Sequence, residues 1–168
     1  GASRGIGREI AKTLAREGYT IIANYNKSER EAQKLKKELQ EENKEIDIYK
    51  ANIANEEETQ EMIKYVIKKY KKIDVLINNA GIDKIQLVTE VTKKDWDEII
   101  NTNLYGTFYI SQQAAKNMIQ NKQGKIINIS SIWGQIGASM EVVYSISKAG
   151  VDGLTKALAK ELGPSGIQ

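Results

Sequence analysis

The sequence predicts an α/β fold in which a doubly wound parallel sheet lies between two layers of helices. Short runs of branched apolar residues alternate with longer segments whose apolar residues recur at helical spacing. Strands separated by helices of this length are joined by crossovers and therefore pair in parallel. No linker, low-complexity tract or repeat interrupts the alternation, so one domain spanning 1–168 is predicted.

The elements are predicted in a regular order. Helical spacing begins at Ile6, and Glu17-Gly18 ends that helix before a strand at 19–23. The remaining predictions are a helix across 32–39, a strand at 46–49, a helix across 63–70, a strand at 73–77, a long helix at 96–121, a strand at 125–129 and a helix at 143–162.

Composition excludes several classes of function. The 25 Lys and Arg against 22 Asp and Glu give a net charge of only +3, with the charges interspersed, so no nucleic-acid partner is expected. Because the sequence has neither Cys nor His, it cannot supply a thiol nucleophile, a Cys/His zinc site or a Ser-His-Asp triad, and we predict no metal site. Neither a signal peptide nor a membrane-spanning run is found, which favours the cytoplasm.

A glycine-rich turn, Gly1-Ala-Ser-Arg-Gly-Ile-Gly7, opens directly into the first predicted helix. Three glycines there remove the β-carbons that would keep a diphosphate away from the N–H groups at the helix start. The spacing differs from the Gly-x-Gly-x-x-Gly pattern of many dinucleotide sites. A phosphate cradle and a plain turn are both compatible with this segment taken alone.

The end of the next strand bears on the choice of cofactor. Dinucleotide sites for NAD commonly place an acid there to hold the ribose 2′-hydroxyl, but Asn24-Tyr25-Asn26 contains none. Arg4 in the glycine turn would instead attract a 2′-phosphate. We therefore expect NADP(H) to be preferred over NAD(H), unless Arg4 is merely a solvent-facing loop residue.

Two further strand ends carry small polar residues. Asn78-Asn-Ala-Gly81 follows one strand, where small residues would let a ribose lie against the backbone and the amides would tie strand ends together. Ser131 follows another strand, and its hydroxyl could position a substrate carbonyl. A plain turn and a capping serine are the alternatives.

Tyr144 and Lys148 are four residues apart in a helical segment, so a phenol and an ammonium should share one helix face. A phenol ordinarily titrates near pH 10, and a cation about 4 Å away would lower that value by about three pKa units at an effective dielectric constant of about 20. Such a pair could transfer protons near neutral pH. The same spacing also occurs on solvated helices without any function.

Taken together, these motifs resemble the short-chain dehydrogenase/reductase family in order and spacing across nearly the whole chain. The resemblance implies a Rossmann fold of three α/β/α layers and an NAD(P)-dependent oxidoreductase. It gives each residue of the catalytic set a role: Tyr144 as general acid, Lys148 as the cation that acidifies it and holds the nicotinamide ribose, Ser131 as the group that orients the carbonyl, and Asn103, in Asn-Thr-Asn-Leu, as the residue that bends its helix and binds a relay water.

The resemblance also implies where the cofactor binds. Asn52-Ile53 stands where many relatives have Asp-Val beside the adenine, and an amide can still hydrogen-bond there. Besides Tyr144 and Lys148, the predicted cofactor contacts are Gly1, Ser3, Arg4, Gly5, Ile6, Gly7, Asn24, Asn26, Asn52, Ile53, Asn79, Ala80 and Gly81.

Within the family, the segments 100–106, 125–131 and 144–151 look most like the 3-oxoacyl-[acyl-carrier-protein] reductases of bacterial fatty acid synthesis. This implies NADPH as cofactor, a substrate linked to acyl carrier protein, and a homotetramer built through the helices near 96–121 and 143–162. Segment 138–142 departs from the version common in those enzymes and is expected to face the substrate. Reduction of a sugar, steroid or small ketone, and a non-catalytic dinucleotide-binding role, are the alternatives.

The sequence begins at a glycine and directly at its first motif, so we expect it to be an internal piece of a longer protein. The fold would then be truncated at its first strand and its C-terminal strands, and the neighbouring strands would lack ladder partners. On this view the isolated 168 residues are not expected to be a stable, active enzyme.

Overall fold

The computed structural model describes residues 1–168 and contains seven α-helices and four β-strands. A π-helical turn, Asn101–Tyr105, joins two of the helices, and single 3₁₀ turns occupy Val88–Glu90 and Gly163–Ser165. In chain order the elements are α1 (Gly5–Arg16), β1 (Ile21–Tyr25), α2 (Glu29–Glu41), β2 (Ile46–Lys50), α3 (Glu56–Tyr70), β3 (Val75–Asn78), α4 (Lys93–Ile100), α5 (Gly106–Asn121), β4 (Lys125–Asn128), α6 (Trp133–Ile136) and α7 (Val142–Leu162).

All strand pairs are parallel, as predicted. β1 pairs with β2, with Ile21 opposite Ile46, and β3 pairs with β4, with Val75 opposite Lys125. β1 and β3 do not pair with each other, so the strands form two separate two-stranded sheets. Apolar residues of β1, β3, α1 and α3 line a cavity of about 490 Å³.

Helices cover both faces of the strands. Successive strand residues point to opposite faces. In β2, Ile48 packs on the core formed by α1, β1 and α2, whereas the next residue, Tyr49, packs on the core formed by α3 and α5. The structure is therefore the three-layer Rossmann-like α/β fold that the sequence predicts.

Several predicted boundaries need correction. β1 begins at Ile21 rather than at residue 19, because the Tyr19 N–H donates to the Leu14 carbonyl at 3.0 Å and closes the end of α1. β3 begins at Val75 rather than at residue 73. The long helix predicted at 96–121 begins at Lys93 and is interrupted by the π turn. The short helix α6 was not predicted.

Candidate active site

The carboxyl ends of the strands hold the glycine turn in place. The Ala2 N–H donates to the Asn24 carbonyl at the end of β1 at 2.9 Å. The Asn79 side-chain amide, just after β3, donates to the Gly1 carbonyl at 2.8 Å. The residues at the ends of β1 and β3 therefore meet at this turn.

The glycine turn is closely packed at Gly1 and Gly7 and open at Gly5. A β-carbon on Gly1 would lie 2.6 Å from the Ala80 Cα atom, and one on Gly7 would lie 2.1 Å from the Gly1 carbonyl oxygen. Gly5 has φ of +55°, and a β-carbon there would project into open space at the start of α1. The N–H groups of the first turn of α1 have no partner within the helix, so this open space fits an anionic group.

The other predicted residues of the turn are placed differently from one another. Ser3 is buried, whereas Arg4 and Ile6 are exposed. Arg4 is the residue that immediately precedes α1, and its side chain makes no capping bond. A guanidinium at this position is free to meet an anion that binds over the turn.

The asparagines after β1 and β2 have structural contacts of their own. The Asn24 side-chain oxygen accepts from the Gly1 backbone nitrogen at 2.9 Å, and its amide donates to the Ala51 carbonyl at 2.9 Å. Asn26 is exposed. The Asn52 side-chain oxygen accepts from the Ala54 N–H at 3.1 Å, next to the half-buried Ile53. No carboxylate stands at the end of β1 to oppose a 2′-phosphate.

An amide ties the ends of β3 and β4 together, as expected from the sequence. The Asn78 side chain donates to the Asn128 side-chain oxygen and to the Ser111 hydroxyl, both at 2.8 Å. The Asn128 amide in turn donates to Thr155 on α7 at 2.8 Å. These bonds fix α5 and α7 relative to the strand ends.

Tyr144 and Lys148 share one face of α7, as their spacing predicts. The Lys148 ammonium lies 5.6 Å from the centroid of the Tyr144 ring and donates to the Ile129 carbonyl at 2.8 Å. Lys148 is 5% exposed. This burial lowers the pKa of the Lys148 ammonium, and the nearby Asp152 carboxylate acts in the opposite direction.

Lys148 lies beside the residues that follow β3, which also contact the glycine turn. A β-carbon on Gly81 would be 3.7 Å from the Lys148 ammonium and 3.4 Å from the Asn103 side-chain oxygen. The preceding residue, Ala80, packs directly on Gly1. Ala80 and Gly81 therefore lie between the predicted cofactor turn on one side and the Lys148 and Asn103 side chains on the other.

A π turn interrupts the helix at Asn103. The π turn from Asn101 to Tyr105 places the Asn103 side chain inward, where it is 1% exposed. Its oxygen accepts from the Ile82 N–H, and its amide donates to the Ile82 carbonyl, both at 2.8 Å. The same amide donates to the Ser147 hydroxyl at 3.1 Å. Single π turns of this kind often occur at functional sites.

Ser131 occupies a turn between β4 and α6. Its hydroxyl accepts from the Trp133 N–H, two residues on, at 3.2 Å, a contact of the turn-serine kind that the sequence left as an alternative. The neighbouring Ser130 hydroxyl donates to the Lys148 carbonyl at 3.3 Å and so attaches this turn to α7. Ser131 is half-buried, and its hydroxyl hydrogen is not used by the contact with Trp133.

Two participants in the site were missed by the sequence reasoning. Ser147 follows Tyr144 by three residues, and the helical spacing that selected Lys148 at four residues could have selected it as well. Ile82 takes part through its backbone, for which a side chain gives no signal. No cluster of three or more His, Cys, Asp or Glu side chains could hold a metal ion. Every helix lacks either the length or the apolar character needed to cross a bilayer.

Comparisons with known families and structures agree with this geometry. The family model for short chain dehydrogenases matches residues 1–168. A short-chain oxidoreductase from a metagenome, solved in complex with NADP, superimposes with a TM-score of 0.96 at 28% identity, covering 100% of this chain and 75% of that one.

Sequence relatives point in the same direction. A 3-oxoacyl-[acyl-carrier-protein] reductase of Staphylococcus epidermidis is 43% identical over 167 residues, which are 99% of this chain and 68% of the relative. Enzymes with the same name from a Synechocystis species and from Thermotoga maritima are 40% and 39% identical, and the chain again spans 68% of each.

Proposed function

This chain belongs to the short-chain dehydrogenase family, and on that premise we propose that it catalyses the NADPH-dependent reduction of a 3-oxoacyl thioester on acyl carrier protein to the 3-hydroxyacyl form. It is an oxidoreductase that acts between CH–OH and C=O groups with NADP(H). The observation that carries the proposal is the buried Lys148 ammonium, which lies 5.6 Å from the centroid of the Tyr144 ring and 3.7 Å from the position that a β-carbon on Gly81 would take.

The cofactor would be held by the turn at the start of α1. The open space at Gly5 and the N–H groups of the first helical turn fit a diphosphate. Arg4 would bind the 2′-phosphate of NADP(H), and residues 24–26 contain no acid that would repel it. When bound, the nicotinamide supplies the hydride that adds to the carbonyl carbon.

The side chains of this chain would manage the proton. Tyr144 would donate its phenolic proton to the carbonyl oxygen, and Ser131 would hold that oxygen in line with its free hydroxyl hydrogen. The Lys148 ammonium would stabilise the negative charge left on the phenolate. Asn103 would hold a water through which a proton returns to Lys148 and then to Tyr144.

Exposed apolar side chains between Ser131 and Tyr144 favour an acyl substrate. Ile132, Ile136 and Met140 are 55%, 70% and 43% exposed, and the backbone carbonyl of Met140 accepts from the Gln86 N–H at 2.8 Å. Groups of this kind leave water when a hydrocarbon chain covers them. The 3-oxoacyl reductase names of the relatives agree with this choice.

We also propose that the protein is a homotetramer joined through α5 and α7. Both helices expose large apolar side chains, Phe108 and Ile119 on α5 and Ile146 on α7. Such side chains are typical of surfaces that a second copy covers. Light scattering of the purified protein tests this assembly, and a stable monomer would contradict it.

The enzymatic proposal is tested by following NADPH oxidation with acetoacetyl-[acyl-carrier-protein]. The assay compares the protein without substitutions, called the parent below, with Tyr144→Phe. We expect turnover by the parent to exceed that of Tyr144→Phe by at least about a hundredfold, because general acid catalysis contributes about 10² to 10⁴. Tyr19→Phe is the matched control, since Tyr19 precedes β1 at the opposite end of that strand and its hydroxyl makes no hydrogen bond.

The same assay separates the alternatives. Turnover of glucose or a simple ketone, but not of the acyl thioester, would keep the chemistry and overturn the substrate. Undiminished biological activity of Tyr144→Phe would favour a non-catalytic dinucleotide-binding domain. Arg4→Ala should raise the KM for NADPH but not that for NADH, and comparable kcat/KM values for both cofactors in the parent would contradict the NADP preference.

A further inference from the structure

Met140 holds a backbone conformation that its residue type disfavours. Its φ angle is +63°, in the left-handed region where the Cβ atom of an ordinary residue is crowded. The Glu141 N–H donates to the Ala138 carbonyl at 3.4 Å, so Met140 is the third residue of a four-residue turn. Glycine or asparagine usually fills such a position, and a methionine there is strained.

Helix ends account for the other residues with a positive φ angle, apart from the glycines. Lys71 and Lys122 are the C-cap residues of α3 and α5, and Asn43 follows the C-cap residue of α2. Left-handed residues commonly end helices, and asparagine tolerates this conformation. Met140 ends no helix, because α6 has already ended at Ile136 and α7 begins two residues after Met140.

Packing within the chain does not compensate for this strain. Met140 is 43% exposed and belongs to neither hydrophobic core. Its carbonyl accepts from the Gln86 N–H at 2.8 Å, but a residue of any type could make that contact. What a methionine adds to this turn is therefore its exposed side chain. Strained residues cluster at active sites and at positions that hold ligands.

The turn joins two segments that flank the candidate active site. Its first N–H donates to the hydroxyl of Ser145, the residue after Tyr144, at 3.1 Å. On the other side, Gln86 belongs to the segment that follows β3 and passes through Gly81. Met140 therefore lies between the start of the helix that carries the predicted acid and the segment that borders the predicted cofactor turn.

The neighbouring side chains favour a hydrocarbon as the group that covers Met140. Ile132 and Ile136 precede it in the same segment and are also exposed. Neither isoleucine carries a hydrogen-bonding group, and a thioether is only a weak acceptor. An amide or phosphate covered by these side chains would lose its water without gaining a partner. A thioether side chain also adapts its shape to irregular apolar surfaces.

We propose that Met140 is a specificity-determining residue: its side chain packs on the acyl tail of the 3-oxoacyl substrate beyond the fourth carbon and so favours long chains over acetoacetyl. The inference rests on the proposed function and deepens it, since it names the part of the substrate that is recognised. Glycine or asparagine would relax the turn but would leave the tail without this contact.

The test compares kcat/KM for 3-oxododecanoyl- and acetoacetyl-[acyl-carrier-protein] at saturating NADPH. Met140→Asn suits the left-handed turn but removes the apolar side chain. We expect the ratio of the long-chain to the short-chain value to fall at least about tenfold, mainly through KM, because each CH₂ group that stays in water costs about fourfold. The Tm of this variant should be at or above that of the parent, since strain is relieved.

Two further variants are the controls. Met140→Leu keeps an apolar side chain of similar volume, so its ratio should stay within about threefold of the parent. Lys122→Asn makes the same change of backbone preference at the end of α5, and its ratio should equal that of the parent.

A parent-like ratio in Met140→Asn, or an equal loss of the ratio in Met140→Leu and Met140→Asn, would overturn the inference while leaving the proposed function intact. Equal losses for both substrates in Met140→Asn would overturn it as well, since the contact would then not involve the tail. A parent that reduces neither thioester would instead show that the proposed function is wrong, and the inference would fall with it.

Discussion

A methyl group added at Gly7 should push the glycine turn away from the end of β3. The new β-carbon would lie 2.1 Å from the Gly1 carbonyl oxygen and 2.5 Å from the Asn79 amide nitrogen. These two atoms form the 2.8 Å hydrogen bond that joins the turn to β3. Because the Gly1 carbonyl is backbone, and the adjoining Ala2 N–H is bonded to the Asn24 carbonyl at 2.9 Å, the turn has to move and the bond is lost.

The magnitude follows from three contributions. Overpacking costs about 1–3 kcal/mol, and the lost hydrogen bond costs about 1 kcal/mol. Alanine in a helix is favoured over glycine by about 1 kcal/mol, which opposes these costs. The net loss is about 1–3 kcal/mol in the free energy of unfolding, which lowers Tm by about 2–12 °C in a protein of this size.

Gly153→Ala provides the matched control. Gly153 lies inside α7, and a β-carbon there meets no atom within 4 Å. The same chemical change should therefore stabilise the protein, by about 0.5–1 kcal/mol.

Thermal unfolding with and without NADPH and the KM for NADPH measure both variants. For Gly7→Ala we expect a KM raised about tenfold or more, equivalent to about 1.4 kcal/mol of binding free energy. For Gly153→Ala the KM should not change. If Gly7→Ala had the stability and KM of the parent, the reasoning about this turn would be refuted.

Three further predictions concern two charged side chains and one side-chain amide. Burial alone would raise the pKa of Asp47, but hydrogen bonds from one lysine and two tyrosines outweigh burial and lower that pKa to about 2. The free energy of unfolding should therefore decrease as the pH falls from about 4 to about 2. In Asp47→Asn the free energy of unfolding should depend less on pH over this range. Lys148→Met should abolish turnover yet raise the free energy of unfolding by about 1 kcal/mol, since a buried cation bonded only to a carbonyl is removed; a lower Tm would contradict this. Asn78→Ala should cost about 2–4 kcal/mol in urea unfolding, because Ser111 and Asn128 each lose a partner, and a loss below that range would mean that the amide does not join the strand ends.

Much of the fold could be predicted because its signals are local. Apolar spacing located most helices and strands to within a few residues, although α3 begins at Glu56 rather than at residue 63. The missed boundary at Tyr19 arose from a helix-ending hydrogen bond that no side-chain pattern records. The motifs could also be placed at strand ends, since the order of elements fixes which ends meet. The four-residue spacing of Tyr144 and Lys148 required only that the segment be helical.

Other parts of the site could not be predicted, since they depend on contacts between distant residues. The Asn24 side chain is engaged by Gly1 and Ala51 rather than standing free at the strand end. The Ser131 hydroxyl accepts from the first residue of α6, a helix of only four residues that has no periodic signal. Ser147 is part of the site only because the Asn103 side chain reaches its hydroxyl from the π turn.

The sequence by itself therefore determined the α/β class, the order of the elements, the glycine turn and the residues able to carry a proton. Each of these is written in spacings of a few residues, which helical and extended backbones turn directly into faces and ends. Only the tertiary structure decided how the Asn103 amide is oriented and how deeply Lys148 is buried. These depend on the packing of segments far apart in the chain, where burial and hydrogen-bond partners are set jointly by several elements.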